Sequence, residues 1–461
     1  MSITSPKHTF LEKSEQKAHD PEHKRKINFN IDKYNHAVAN GKTQFAALEA
    51  ARKTAKNIKW NAIEHLDKNL ELFEKKFTEG GGKVIWAENA AEALAAVLAI
   101  CKEKNCRSVV KSKSMVTEEL HLNQFLEANQ IESVETDLGE YIQQLDGEPP
   151  YHIVTPAMHK SKEDIAALFH DKLGTAPNLG PGELTLVARQ KLREKFTTAE
   201  IGITGGNFLV ADTGSVCITE NEGNGRLATS FPPTHIAIVG IEKIIPSLQH
   251  LGLYWPLLAT FGTGQKLTVY NSIISGPRQA GETDGPKEMY VILLDNGRTN
   301  MLGKEMREAM YCIRCGSCLN ACPVYKNIGG HTYATTYSGP IGSVISPHLN
   351  GMYEAGHLSF ASSLCGNCTA VCPVKINLHE LLLENRHLYV AEKYATMSEK
   401  LAWRLFKRGV LHRALMNSAN GKIKNAVFEK AFSAAWGQRR DKIVFAPRSF
   451  NQMWKEQKRK G

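Results

Sequence analysis

The sequence predicts an α/β domain with a mainly parallel sheet at residues 65–300, preceded by a helical N-terminal extension at 1–64. A largely helical, cysteine-rich module follows at 301–396, and a basic helical tail at 397–461. Three observations carry this reading. Short β-rich runs alternate with helical stretches of about 10–15 residues between positions 83 and 295. Seven of the ten cysteines fall between Cys312 and Cys372. From residue 400 onward there are 16 Lys/Arg and 3 Asp/Glu, a net charge of +13.

Before the sheet, residues 43–77 place apolar positions at helical spacing among many lysines, and Gly80–Gly82 breaks the helix. Strands are then expected at 83–87, 107–111, 131–136 and 152–155, with helices at 89–102, 116–128 and 162–170 between and after them. Asn89 is placed to cap the first of these helices. A Gly/Pro loop at 173–181 leads to a helix near 184–196. Short β-rich runs follow at 201–204, 208–211, 216–219 and 235–240, then a helix at 247–261 and closing strands at 266–270 and 289–295. A further helix is expected from Leu378 to Tyr394.

Charge narrows the function classes. The total is +10, so the tail's +13 leaves residues 1–399 at −3. A nearly neutral body argues against nucleic-acid binding by the main fold. The basic tail, with Trp403 and Phe406 on an amphipathic stretch, suggests docking on an acidic partner or a membrane surface. No apolar run approaches the roughly 20 residues needed to cross a bilayer. The polar N-terminus has no signal-like apolar core, so the expected location is cytoplasmic. Cysteines clustered in such a chain point to metal or redox chemistry rather than disulfides. Cys101, Cys106 and Cys217 stand apart in apolar surroundings and read as structural.

The cysteine spacing is specific. Cys312, Cys315, Cys318 and Cys322, followed by Pro323, form C-x2-C-x2-C-x3-C-P, the run that binds cubane iron–sulfur clusters in bacterial ferredoxins. Three close thiolates on a tight loop serve one cluster, and the fourth serves the other. Cys365, Cys368 and Cys372, followed by Pro373, repeat the run with its first cysteine replaced by Ser362. Exchange of fourth ligands assigns Cys312, Cys315, Cys318 and Cys372 to one 4Fe-4S cluster. Cys322, Cys365 and Cys368 then serve the second. A three-iron cluster fits the second set. So does a four-iron cluster whose last iron takes Ser362, water or a partner's group. Zinc sites favour two separated C-x2-C pairs and fit this pattern poorly.

At these cysteines, and along the α/β region, the chain resembles the lactate utilization protein B family. The matching stretches are Val109–Glu119, Glu135–Tyr141, Glu200–Gly205, Asp212–Val216, Asn221–Asn224, Pro233–Ala237, Ile328–His331 and Tyr337–Gly342. The resemblance implies an iron–sulfur subunit of a bacterial L-lactate oxidation system, with the other subunits of that system and a downstream electron acceptor as partners. It also implies an α/β domain similar to the sugar-isomerase/CoA-transferase-like fold, joined to a two-cluster ferredoxin-like module. The family carries three cysteines for the second cluster, at the positions seen here.

Within the α/β domain, the turns at Thr204, Gly205 and Asn207 and at Thr213, Gly214 and Ser215 are candidates for an anion-binding loop, with Lys111 and Lys113 as nearby cations. Tight turns with solvated lysines are the plainer reading. No nucleophile–base pair stands out, and Glu118 and Glu119 fit a helix start. His159, His235 and His331 read as structural or surface residues. No dinucleotide fingerprint follows a strand. An electron-transfer subunit is therefore the leading expectation. A self-contained small-carboxylate oxidoreductase and a redox-sensing scaffold are the alternatives.

Overall fold

A computed structural model describes residues 5–303, 305–417, 420–436 and 441–460; the first four positions of the expected N-terminal extension and several of the tail lie outside the described residues. The chain divides into a body ending at Tyr389 and a separate unit from Val390.

The body is built on ten strands. These are β1 (Lys83–Ala87), β2 (Ser108–Lys111), β3 (Glu132–Glu135), β4 (Ile201–Thr204), β5 (Phe208–Val210), β6 (Ser215–Glu220), β7 (Thr234–Gly240), β8 (Ile244–Ile245), β9 (Tyr270–Ile274) and β10 (Glu288–Leu294). Six of them form an all-parallel sheet in the order β1-β10-β7-β4-β2-β3. Parallel strands need helical crossovers, and these cover both faces. The central β7 is buried at every position. Its side chains alternate: Ile236 and Ile238 enter one core with Val97 and Ile100 of the helix Ala90–Glu103. Ala237 and Val239 enter the opposite core. Asn89 caps that helix, its side chain accepting from the Glu92 N–H at 3.0 Å.

The other four strands form a second sheet, β8-β5-β6-β9, in which β6 runs antiparallel to both neighbours. The runs at 208–211 and 216–219 predict β5 and β6, but nothing in them predicts a separate sheet. Two strand expectations are corrected. Residues 152–154 form bends and Thr155 is irregular, because the His152 Nδ1 accepts from the Val154 and Thr155 amides that a strand would offer a neighbour. The closing strand expected at 266–270 begins only at Tyr270; before it, the Asn221 side chain takes the Val269 amide and the Thr268 hydroxyl bonds Asn271.

The N-terminal helices Pro21–Gly41, Leu48–Glu64 and Leu66–Glu79 share one apolar core with the cysteine module, through Ile27, Ile31, Ile63 and Phe73. Arg52 donates to the carbonyls of Ala370 and Cys372 at 2.7 Å each. Lys56 pairs with Glu308 at 2.5 Å. The module itself is a set of short helices, Ser317–Ala321, Pro323–Ile328, Gly339–Leu349 and Asn367–Ala370, that closes with Leu378–Ala391. Beyond the body, helix Met397–Leu411 starts with a Thr396–Glu399 capping box and stacks Trp403 edge-on against Phe406. Among the described residues, no helix is long and apolar enough to cross a membrane.

Candidate metal centre

The two cysteine loops share one backbone conformation. In the first, Arg314 and Gly316 flank Cys315 with φ of 60° and 80°. In the second, Leu364 and Gly366 flank Cys365 with φ of 54° and 77°. Left-handed backbone on both sides of a cysteine wraps the chain around it, and glycine meets that demand without a Cβ penalty. Each run ends on a proline. Cys322 caps helix Pro323–Ile328, with Pro323 at its first position, and the Cys322 sulfur accepts from the Tyr325 N–H at 3.5 Å. The Cys372 sulfur likewise accepts from the Ile376 N–H at 3.3 Å.

The set expected for the first cluster is Cys312, Cys315, Cys318 and Cys372, and that for the second is Cys322, Cys365 and Cys368. Burial raises the Cys315 and Cys318 thiols, and repulsion from Cys312 and Cys372 adds to it. Burial pushes Cys372 up to about 12, with Cys312 contributing. Separately, burial raises Cys322, with Cys365 contributing, and pushes Cys368 up to about 11, with Cys322 and Cys365 contributing. The first set is more deeply enclosed, whereas Cys365 of the second is exposed.

Charge around the first set suits an anionic cluster. Buried Lys59 and Lys243 and the partly buried Arg314 feel the charge of Cys312, and Arg298 is buried against Glu119 and Glu242. Against them stand the buried Glu119 and Glu242. Burial alone would raise Glu242; Arg298, Arg314 and Lys243 outweigh it and hold the carboxyl well below its usual range. Burial pushes the Lys59 ammonium down to about 7 and that of Lys243 to about 8, while the Glu242 carboxylate opposes both shifts. Arg298 and Arg314 match Glu119 and Glu242 in charge, so protons held by Lys59 and Lys243 add positive charge that no protein carboxylate there compensates. Such an excess is costly unless an anion faces it, and a thiolate-ligated iron–sulfur cluster is one. Among the described residues, the groups compact enough to hold a single ion contain no cysteine, which disfavours a zinc site.

The candidate anion-loop residues are not gathered at one place. Gly205, Asn207 and Lys113 line a cavity of about 420 Å³ that also reaches Lys243, Arg314 and Cys315. Thr204 is fully buried, its hydroxyl 2.8 Å from His235 Nε2. Thr213, Gly214 and Ser215 lie elsewhere: Gly214 packs against the backbone of Lys76 and Phe77, and Ser215 bonds Thr213 and Ser275. Lys111 is neither solvated nor at the cavity. It is fully buried, with Glu135 at 2.7 Å and Glu118 at 3.0 Å. Lys113 is also engaged, donating to the Val154 carbonyl. Glu119 is no simple helix-start charge, because it receives two bonds from Arg298 and one from the Tyr337 hydroxyl. His159 and His331, distant in sequence, come together with Glu148. Sequence reasoning missed Arg314 and its partners; the arginine inside the first C-x2-C was the available signal.

Comparison with known proteins decides the family. The chain is 48% identical over 363 residues to lactate utilization protein B of Bacillus licheniformis, covering 78% of this chain and 76% of that one. The chain belongs to the lactate utilization protein B family. A second relative of that name, from Bacillus cytotoxicus, is 47% identical, with 80% and 78% covered. An uncharacterized electron transport protein of Escherichia coli, YkgF, is 44% identical, with 84% and 80% covered. Residues 70–294 match the LUD domain family, and residues 308–376 match the 4Fe-4S dicluster domain family. A solved DUF162 family protein from Deinococcus radiodurans aligns at 14% identity, covering 50% of this chain and 98% of its own, with a TM-score of 0.28. The family architecture is therefore a parallel-sheet α/β domain followed by a helical iron–sulfur module.

Proposed function

We propose that this chain is the iron–sulfur electron-transfer subunit of a system that oxidises L-lactate to pyruvate. The names of its relatives, lactate utilization protein B and electron transport protein, support the setting. The observation that supports the mechanism is the repeated loop, with left-handed backbone on both sides of Cys315 and of Cys365 and a Cys-Pro step closing each run. In this reading Cys312, Cys315, Cys318 and Cys372 hold a 4Fe-4S cluster. Cys322, Cys365 and Cys368 hold the second, with its fourth position open at or near Ser362. Clusters of this class take up and release electrons one at a time, with potentials that depend on charge, hydrogen bonds and exposure. The residues do the tuning: amides of Arg314, Tyr325 and Ile376 donate to cysteine sulfurs, and Lys59, Lys243 and Arg314 stabilise added negative charge at the first set.

Partners in this reading are the remaining subunits of the lactate system and a downstream acceptor. The exposed Cys365 marks the second set as the side open to a partner. The tail beyond residue 397 docks on an acidic partner or a membrane surface, and deleting it should weaken that association. The α/β domain is proposed to share the sugar-isomerase/CoA-transferase-like fold. The test is lactate-dependent electron flow in the reconstituted system. Cys315→Ser and Cys368→Ser should each abolish it, and normal flow in both variants sinks the proposal.

The cavity reaching Cys315 favours a second reading, in which the α/β domain itself binds a small carboxylate beside the first cluster. Turnover of lactate by the isolated, cluster-loaded chain with an artificial acceptor would establish it, and absence of turnover returns the chain to a subunit role.

A further inference from the structure

A second group of buried charges lies away from the cysteines, at the carboxyl ends of β2 and β3. Lys111 and Glu135 are register partners there. Glu118 joins them from the helix Met115–Glu119, and Glu140 from Leu138–Asp146. One oxygen each of Glu118, Glu135 and Glu140 lies within 4.8 Å of the others. Lys111 is the ammonium among them, at 2.7 Å from Glu135 and 3.0 Å from Glu118. Three carboxylates and one ammonium, all ionised, leave two negative charges in a buried place, a costly excess unless something neutralises it.

The side chains themselves await a ligand. Glu140 is 2% exposed, and among the described residues no donor reaches either of its oxygens. Its neighbour is the Glu135 carboxylate, whose Oε2 also lacks a donor. Gln143 is 1% exposed, and both its amide oxygen and nitrogen are without partners. These groups line a cavity of about 620 Å³ whose wall, among the described residues, carries six glutamates and neither lysine nor arginine. Open parallel sheets bind ligands at the carboxyl ends of their strands.

We propose that this cavity binds one divalent, oxygen-preferring cation, held by Glu118, Glu135, Glu140 and the side-chain oxygen of Gln143. The donor set is all oxygen, as calcium, magnesium and manganese require. A double positive charge neutralises the excess and gives Glu140 and Gln143 the partner they lack. Glu118 adjoins Glu119, which takes bonds from Arg298 and Tyr337, so the cation also braces the junction with the cysteine module. The alternative is a proton shared by Glu135 and Glu140.

The test uses the full, cluster-loaded chain and room-temperature EPR of aqueous Mn²⁺. The chain should remove one equivalent of Mn²⁺ from the free signal, and Mg²⁺ or Ca²⁺ should displace it. Glu140→Gln should weaken Mn²⁺ binding by at least about tenfold, and Gln143→Leu should also weaken it. Retained cluster absorbance and, in chelator, a melting temperature no lower than the parent's would show that Glu140→Gln folds. Absence of Mn²⁺ binding by the parent would overturn the proposal in favour of the shared proton. Equal binding by Glu140→Gln would overturn it in favour of Glu148, His159 and His331.

Discussion

Ser362 in the second cysteine loop receives the backbone hydrogen bond that Cys312 receives in the first. The Leu364 N–H donates to Ser362 Oγ at 3.1 Å, and the Arg314 N–H donates to Cys312 Sγ at 3.4 Å. Donor and acceptor are two residues apart in both, and both donors have left-handed φ. The loops are thus structural repeats, with a hydroxyl standing where the first has a thiol. Ser362→Cys is therefore expected to give the second site a fourth thiolate. Reconstituted variant should hold about eight irons per chain, with no three-iron signal in the oxidised EPR spectrum. A count of about seven would show that position 362 does not face the cluster.

Much of this was legible in advance. The strand–helix alternation announces the parallel sheet because crossover helices and buried strands leave different apolar periods, as at Ala90–Glu103 and in β7. The cysteine runs announce the metal centre because spacing alone sets which thiols share a loop. Long-range charge pairing is different. Lys111 looks like a surface cation in sequence, yet Glu118 and Glu135 hold it in the core. Arg298 and Glu242 are 56 residues apart and meet at 2.6 Å. No local pattern encodes such contacts, and the second sheet is equally hidden because strand pairing, such as β6 with β9, joins residues distant in sequence.

Arg298 should be a keystone of the body. It is 1% exposed, and its guanidinium pairs with Glu119 at 2.9 Å and Glu242 at 2.6 Å. Arg298→Met would leave two buried carboxylates short of their main partner. The expected loss is about 3–5 kcal/mol in denaturant unfolding. A loss under about 1 kcal/mol would mean that solvent or other cations already serve these acids.

Acid should destabilise the body through His235. The ring is fully buried in β7, and burial pushes its pKa from 6.5 down to about 3. Between those values the unfolded chain binds the proton and the folded chain does not, so stability falls as pH drops below about 6.5. At pH 5 this one group should cost about 2 kcal/mol. His152, with its pKa also pushed to about 3 by burial, acts in the same direction. His235→Asn should therefore flatten the pH dependence of denaturant midpoints between pH 7 and 5. An unchanged slope would show that His235 is not the proton acceptor.

In the proposed arrangement each cysteine run lends its last thiol to the other's cluster, which single-cysteine variants can decide. Low-temperature EPR of reduced, anaerobically reconstituted Cys318→Ala, Cys372→Ala, Cys322→Ala and Cys368→Ala would sort the ligands by which signal each removes. Cys372→Ala should abolish or alter the same signal as Cys318→Ala, although the two residues lie in different runs. Cys322→Ala should match Cys368→Ala. If Cys372→Ala instead matches Cys368→Ala, and Cys322→Ala matches Cys318→Ala, each run serves its own cluster and the exchange is wrong.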